Sequence, residues 1–253
     1  MDILNPPGLS AEFSAFLIGL SFLTSAITAA FGVGGGLVLL VVMATGIPVA
    51  ALIPVHGLVQ LGSNTGRAVL LFRDINWRFV GLLAAGTIVG AAIGGYFVIT
   101  LPDNVLRLVI AGFVLWTVWG NIPKLNMASP AVVIPAGVIA AILTMFIGAS
   151  GPFVAAIMVA QKFVRQTTVA THAASMVMHH LLKVIVFGLL GFAFAPWLPF
   201  IAAMIATGFV GTFLGVRLLK GFSEDRFRLA FKILLTLLAL NLIWSVVAQS
   251  LWT

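Results

Sequence analysis

The sequence contains no cysteine and very few charged residues. Cysteine is absent from all 253 positions, which excludes disulfide bonds, thiolate catalysis and cysteine-ligated metal centres. Charged residues make up 8% of the chain and hydrophobic residues 62%, whereas typical soluble domains contain about 25% and about 45–50%. These departures exclude a disulfide scaffold, a disordered chain and a soluble enzyme.

The charges that are present lie in a few short clusters. Between the clusters run apolar stretches of about 20 residues, long enough to cross a hydrocarbon core about 30 Å thick. The sequence therefore predicts an all-α polytopic membrane protein whose surroundings are the lipid bilayer. Its net charge of +7 is attributed to Lys and Arg in cytoplasmic loops, so no nucleic-acid partner is expected. The N-terminus lacks the basic region of a cleavable signal peptide, and the first apolar segment is expected to be retained.

The chain aligns with itself as two halves. One constant shift superimposes Thr28 on Thr144, Gly32 on Gly148, Gly35 on Gly151, His56 on His172, and Arg67 on Lys183. A slightly larger shift superimposes Gly90 on Gly211, Gly94 on Gly215, and Arg107 on Arg228. Because the matches include histidine and basic residues, they indicate a duplication. We expect one transmembrane domain over residues 1–253, with repeats at 12–122 and 131–249.

Each half is predicted to contain one glycine-broken apolar stretch followed by three long helices. The breaks fall at Gly32–Gly36, within 12–46, and at Gly148–Pro152, within 131–161. The helices that follow are predicted at 49–72, 77–100, 103–122, 166–190, 197–220 and 224–249.

The distribution of basic residues predicts the topology. If each broken stretch is a hairpin of two short helices and the N-terminus lies outside, then Arg73, Lys124, Lys162 and Lys220 are all cytoplasmic. This arrangement follows the positive-inside rule, whereas a single crossing per broken stretch violates it. Five elements per half place both termini outside and give the two repeats opposite orientations.

Inverted repeats with matching broken helices are typical of secondary transporters, which bind substrate at the repeat interface. Unwound backbone is tolerated at that depth only where it is buried or lines a polar cavity, and helix N-termini there attract anions. The substrate contacts predicted at the breaks are Gly32, Gly34, Gly35, Ser150 and Gly151. The alternative role of such glycines is close helix packing, to which we assign Gly90, Gly94, Gly211 and Gly215.

The helix after each break carries a polar stripe on one face. The first stripe is His56, Gln60, Asn64 and Arg67, and the second is His172, Ser175, His180 and Lys183. Ionisable groups inside a membrane are costly and are functional candidates by default. The substrate contacts predicted on the stripes are His56, Asn64, Arg67, His172, His180 and Lys183. Cationic side chains and N–H donors together indicate a small oxyanion as the ligand.

Several of these residues have a simpler interpretation. Arg67 could extend to the membrane interface, and His56 and His172 could each bond a backbone carbonyl instead of binding a ligand or exchanging a proton. His179 is interpreted as structural. The i,i+4 pairs Asp103–Arg107 and Glu224–Arg228 are interpreted as ion pairs beside helix caps, with gating as an alternative. No acidic residue is predicted deep in the membrane, which argues against a carboxylate-based cation pump.

The segments around the breaks resemble those of the TauE/SafE sulfite exporter family. The similar segments are Phe31–Leu37, the helix with His56, Asn64 and Arg67, and Gly148–Pro152 with His172. The resemblance implies export of sulfite, of a sulfonate such as sulfoacetate, or of a related sulfur-containing anion across the bacterial inner membrane. We expect no enzymatic activity, no cofactor and no metal, and a homodimer is left open.

The predicted function is therefore secondary transport of a small anion by alternating access, with proton coupling left open. A passive anion channel is one alternative. An intramembrane serine protease is another, because Gly148–Gly151 resembles a Gly-x-Ser-Gly motif and His172 or His180 could serve as the base. Against the protease, the repeat places Gly34 at the position of Ser150.

Overall fold

The computed structural model describes residues 4–32, 34–97, 102–120, 129–159, 161, 163–218 and 224–251. Over this part of the chain the secondary structure is helical, without strands. The α-helices are α1 Ala11–Phe31, α2 Gly35–Met43, α3 Val49–Leu70, α4 Trp77–Phe97, α5 Asp103–Trp119, α6 Pro130–Ile147, α7 Gly151–Val159, α8 Arg165–Leu189, α9 Leu198–Leu218 and α10 Glu224–Leu251. The prediction of an all-α fold is confirmed, and the long helices begin within a residue of their expected starts.

Both predicted helix breaks are present. Helix α1 is capped by Gly32, which has a φ of 85°, and α6 is capped by Gly148, which has a φ of 88°. A left-handed residue directly after a helix ends it, and glycine adopts this conformation without a Cβ penalty. Gly34, which precedes α2, also has a positive φ of 113°.

The helices are long and apolar enough to make this a multi-pass membrane protein. Within the described residues five spans qualify by length and composition: Ala11–Phe31, Trp77–Tyr96, Pro130–Ile147, Arg165–Leu189 and Ala195–Gly215. By contrast, α2 and α7 have 9 residues each, which at about 1.5 Å per residue reaches only half of the hydrocarbon core. Neither short helix is therefore long enough to cross the hydrocarbon core by itself.

The main helix contacts join one half of the chain to the other, and they follow the sequence repeat. Helix α1 packs on α9 and α6 packs on α4, while α3 packs on α8 and α5 on α10. A Cβ on Gly90 would lie 2.3 Å from Val138 O, and a Cβ on Gly211 would lie 2.1 Å from Phe22 O. These two crossings are equivalent under the sequence repeat, and in both of them glycine lets the backbones approach closely. The opposite orientation of the halves and their limits at 12–122 and 131–249 stay predictions.

Arginine side chains bond to carbonyls at the C-terminal ends of α1 and α2. Arg107 on α5 donates to Ala44 O at the end of α2, and Arg165 on α8 donates to Ala30 O in the last turn of α1. The side chain of Asp103, and both side chains of the expected pair Glu224–Arg228, lie outside the described part of the structure. So do Lys124, Lys162 and Lys220.

Candidate functional site

A small cavity lies where the two helix breaks meet the polar faces of α3 and α8. The volume open to the centre of a water-sized sphere is about 40 Å³. Because about 10–15 Å³ suffices for one water molecule, the cavity accommodates an ion of a few heavy atoms. Its walls are formed by Thr28, Gly34, Gly36, Leu37, His56, Gln60, Asn64, Ala149, Ser150, Gly151, His172, Met176 and His180.

Two short helices begin at the cavity. Gly34 and Gly36 bring the first turn of α2 to the wall, and Ser150 and Gly151 bring the first turn of α7. The first N–H groups of a helix have no partner within it, and the helix dipole is positive at this end. The N-terminal ends of α2 and α7 therefore direct positive potential to the same small volume.

Two histidines hold the first turns of the short helices in place. His56 Nε2 lies 2.9 Å from Gly36 O, and His172 Nε2 lies 3.0 Å from Gly151 O. Because a carbonyl oxygen only accepts, each Nε2 carries the hydrogen, and Nδ1 of the neutral ring is then an acceptor. The Nδ1 atoms of both rings are buried without a hydrogen-bond partner, as is His180 Nδ1. These histidines thus make the carbonyl bond of the simpler interpretation and also line the cavity.

Lys183 is a fully buried cation behind the wall. Its side chain is 0% exposed, and its Nζ donates to Gly148 O over 2.9 Å. That carbonyl is at the C-terminal end of α6, where the helix dipole favours a positive charge. A Cβ at Gly57 would lie 2.5 Å from Lys183 Cε, so the missing side chain at Gly57 leaves room for the lysine to cross α3.

Among the basic residues whose side chains the structure describes, Arg67 is also buried. It is 1% exposed, which does not fit a side chain that extends to the membrane interface. Its Nη1 lies 3.3 Å from Asn64 Oδ1, while its Nε is buried without a partner. Asn64 Nδ2 in turn donates to Gln60 O over 2.8 Å and to Gln60 Oε1 over 3.3 Å. The stripe on α3 is therefore a hydrogen-bonded chain from Arg67 to the cavity wall.

Seven of the predicted site residues line the cavity: Gly34, His56, Asn64, Ser150, Gly151, His172 and His180. Four do not. Arg67 and Lys183 lie behind the wall, and Gly32 caps α1. A Cβ on Gly35 would lie 1.8 Å from Thr24 O, so in this structure Gly35 allows α2 to pack on α1.

The remaining wall residues were not among the predicted contacts. They are Thr28, Gly36, Leu37, Gln60, Ala149 and Met176. Gln60 belongs to the polar stripe, and Thr28 pairs with Thr144 in the repeat, so both carried a sequence signal. Leu37, Ala149 and Met176 are apolar residues in an apolar chain, and only the folded structure separates them from the core.

The hydroxyl group of Ser150 bonds to another hydroxyl. Thr144 Oγ1 lies 2.6 Å from Ser150 Oγ, and among the described hydrogen bonds this is the one that Ser150 Oγ makes. The serine–histidine contact required by a protease is therefore not among them.

His179 bonds Ser175 O and Thr87 Oγ1 away from the cavity. The described residues include no group of three or more His, Asp or Glu side chains placed to hold a metal ion.

Comparison with known proteins gives one clear match. No curated protein and no solved structure matches the chain significantly. The family described as "Sulfite exporter TauE/SafE" matches residues 17–242, a region that contains both breaks and every wall residue of the cavity. Because this match covers most of the chain, the protein belongs to the TauE/SafE sulfite exporter family of membrane transporters.

Proposed function

We propose that the protein is a secondary transporter that exports a small sulfur-containing anion, such as sulfite or a sulfonate like sulfoacetate, across the bacterial inner membrane. The observation that carries this proposal is the unbalanced positive charge around the cavity. Arg67 and Lys183 are buried beside it, and none of the described carboxylates is buried with them. Since an uncompensated charge inside a membrane is costly, an anion in the cavity supplies the missing counter-charge.

Alternating access is supported by the packing of the two halves. Equivalent helices exchange partners, and the cavity lies between the breaks of both halves. Rocking one half against the other around a fixed site would open the cavity first to one side of the membrane and then to the other. The inner-membrane location and the outward position of both termini belong to this proposal.

The histidine tautomers support proton coupling as part of this proposal. The carbonyls of Gly36 and Gly151 hold the hydrogen on Nε2 of His56 and His172, so Nδ1 of each neutral ring carries a lone pair and cannot donate to an anion. Protonation at Nδ1 converts the same atom into a donor. Anion binding beside these rings would therefore favour proton uptake, which supports transport of the anion together with a proton.

Flux measurements on reconstituted protein test the proposal. Proteoliposomes loaded with sulfite, sulfate, thiosulfate, sulfoacetate or taurine should release at least one anion by saturable transport, faster when a pH gradient is applied. Empty liposomes are the control. Flux that does not saturate, with a high unitary conductance, would favour the channel alternative. A ligand that binds the folded state raises its melting temperature. The proposal is wrong if none of these anions is transported and none of them raises the melting temperature.

Cysteine labelling tests the inverted topology, and the chain contains no native cysteine to confuse it. The α3–α4 and α8–α9 connections are equivalent in the two repeats, and they hold the exposed residues Arg73 and Ala193. In intact cells a membrane-impermeant maleimide should label Ala193→Cys and should label Arg73→Cys only after lysis. Labelling of both from the same side would contradict opposite orientations.

A further inference from the structure

Two residues at equivalent positions of the repeats give the cavity walls of different chemistry. Gln60 on α3 and Met176 on α8 both line the cavity, and they are superimposed by the same shift that aligns His56 with His172. Both are buried, with 8% and 2% of their surface exposed. One is an amide and the other a thioether, so the two sides of the cavity differ in chemistry although the two residues occupy equivalent positions of the repeat.

The orientation of the Gln60 amide follows from its neighbours. A guanidinium only donates hydrogen bonds, so the contact with Arg67 Nη1 places Asn64 Oδ1 on that side and Asn64 Nδ2 toward Gln60. Asn64 Nδ2 donates to Gln60 Oε1, which leaves the Nε2 group of Gln60 without a described partner. A Cβ on Gly36 would lie 2.9 Å from Gln60 Oε1, so the absence of a side chain there lets the amide occupy this place.

Met176 offers the cavity no hydrogen-bond donor. Its thioether packs in an apolar cluster with Phe79, Val154 and Ile157. The sulfur is polarisable and accepts hydrogen bonds only weakly. An anionic oxygen placed against it would lose its hydration without gaining a donor, which is unfavourable, whereas a methyl group has no hydrogen bond to lose there.

We propose that Gln60 and Met176 together set the orientation and selectivity of anion binding. Gln60 Nε2 donates to an oxygen of the anion, and Met176 contacts the side of the anion that carries no oxygen. Arg67 is a positioning residue in this arrangement, because it acts on the anion through Asn64 and Gln60. The site then disfavours tetrahedral anions with oxygen at all four corners. This inference rests on the proposed function, since it concerns the same cavity.

Methanesulfonate and sulfate are suitable probes, because they have the same number of heavy atoms and differ by a methyl group in place of an oxygen. Their dissociation constants are measured by calorimetry on the purified full-length protein. We expect Met176→Gln to shift the ratio of the two constants toward sulfate by about tenfold or more, the value of one hydrogen bond to a charged group. Their difference in charge cancels in this comparison, since the substitution leaves the charge of the protein unchanged.

Control variants separate selectivity from folding. Met176→Leu, which keeps an apolar wall, should leave the ratio within about twofold of the wild-type value. Gln60→Met should weaken the binding of both anions. If Met176→Gln does not fold, Met176→Thr supplies a smaller polar group for the same measurement. An unchanged ratio in the folded Gln or Thr variant overturns the inference and leaves anion transport intact, whereas a wild-type protein that binds no anion overturns both.

Discussion

The two breaks share a backbone frame and differ in the side chains around it. In both, a left-handed glycine ends the first helix, and a histidine bonds a carbonyl in the first turn of the next. The buried cations differ, because Lys183 bonds the backbone carbonyl of Gly148 whereas Arg67 bonds the side chain of Asn64. The two halves therefore share the parts that place backbone dipoles at the cavity and differ in the groups that line or support it.

The equivalent helices α1 and α6 show the same divergence in their packing. On α1, Ser21 Oγ donates to Met204 O over 2.7 Å, and Ser25 Oγ lies 3.1 Å from Ser63 Oγ. The repeat places Gly137 and Ala141 at these positions on α6. A Cβ on Gly137 would lie 2.3 Å from Leu83 O. On α1 these positions therefore make hydrogen bonds to α9 and to α3, whereas on α6 they are small residues and Gly137 lets α6 pack closely on α4. Both solutions occur between membrane helices.

The largest effect is expected at the closest backbone contact of the first break, between α1 and α2. Gly35→Val places a branched side chain where even a Cβ would lie 1.8 Å from Thr24 O, so α2 would have to move away from α1. We expect loss of folded, monodisperse protein in size-exclusion chromatography. The matched control is Gly19→Ala on α1, where a Cβ meets nothing within 4 Å. Recovery of folded Gly35→Val would show that the break tolerates a side chain.

The next largest effect is expected at the buried basic residues Lys183 and Arg67. Lys183→Gln removes a buried charge next to the cavity, and we expect at least a tenfold loss of anion affinity, with part of it retained in Lys183→Arg because the charge survives. Arg67→Gln should also weaken binding, and its effect should shrink when Gln60 is already replaced by Met. Anion titrations of the single and double variants check this. An unchanged affinity for Lys183→Gln at every pH would leave recognition to the backbone N–H groups.

The histidines test whether the two halves share one proton function. A neutral imidazole that donates from Nε2 cannot donate from Nδ1, whereas the protonated ring donates from both nitrogens, so anion binding should tighten as the pH falls. His56→Gln and His172→Gln should each reduce this pH dependence more than they change the order of preferred anions. Flux in proteoliposomes over a pH series measures both quantities. A wild-type profile in the double variant would remove both rings from proton coupling.

The smallest effect is expected at a hydroxyl pair found in only one half. Thr144 orients Ser150 across 2.6 Å, whereas the equivalent position in the first half is Gly34. Thr144→Val keeps the shape of the side chain and removes this contact, so we expect anion affinity to fall by a few fold, the net value of one hydrogen bond. Ser150→Ala should have a similar effect, and the double variant should add little. Additive losses would indicate that the two hydroxyls act separately.

The sequence predicted the features that depend on local chemistry. Apolar stretch length predicted the long helices, and dense glycine predicted the two breaks, because a left-handed residue ends a helix wherever it lies. The spacing of His56 and His172 in the repeat predicted that both belong to one site, and both line the cavity. The opposite orientation of the repeats and the identity of the anion stay predictions.

Tertiary packing alone decided which side chains line the cavity and which support it. Gly34 and Gly35 are adjacent and chemically identical, yet one lines the cavity and the other packs against Thr24. Lys183 and Arg67 carry the same charge at equivalent positions, but the room left by Gly57 directs Lys183 to the end of α6. Sequence spacing places a residue on a helix face. The distance to the neighbouring helix then determines whether that face lines the cavity or packs against the other helix.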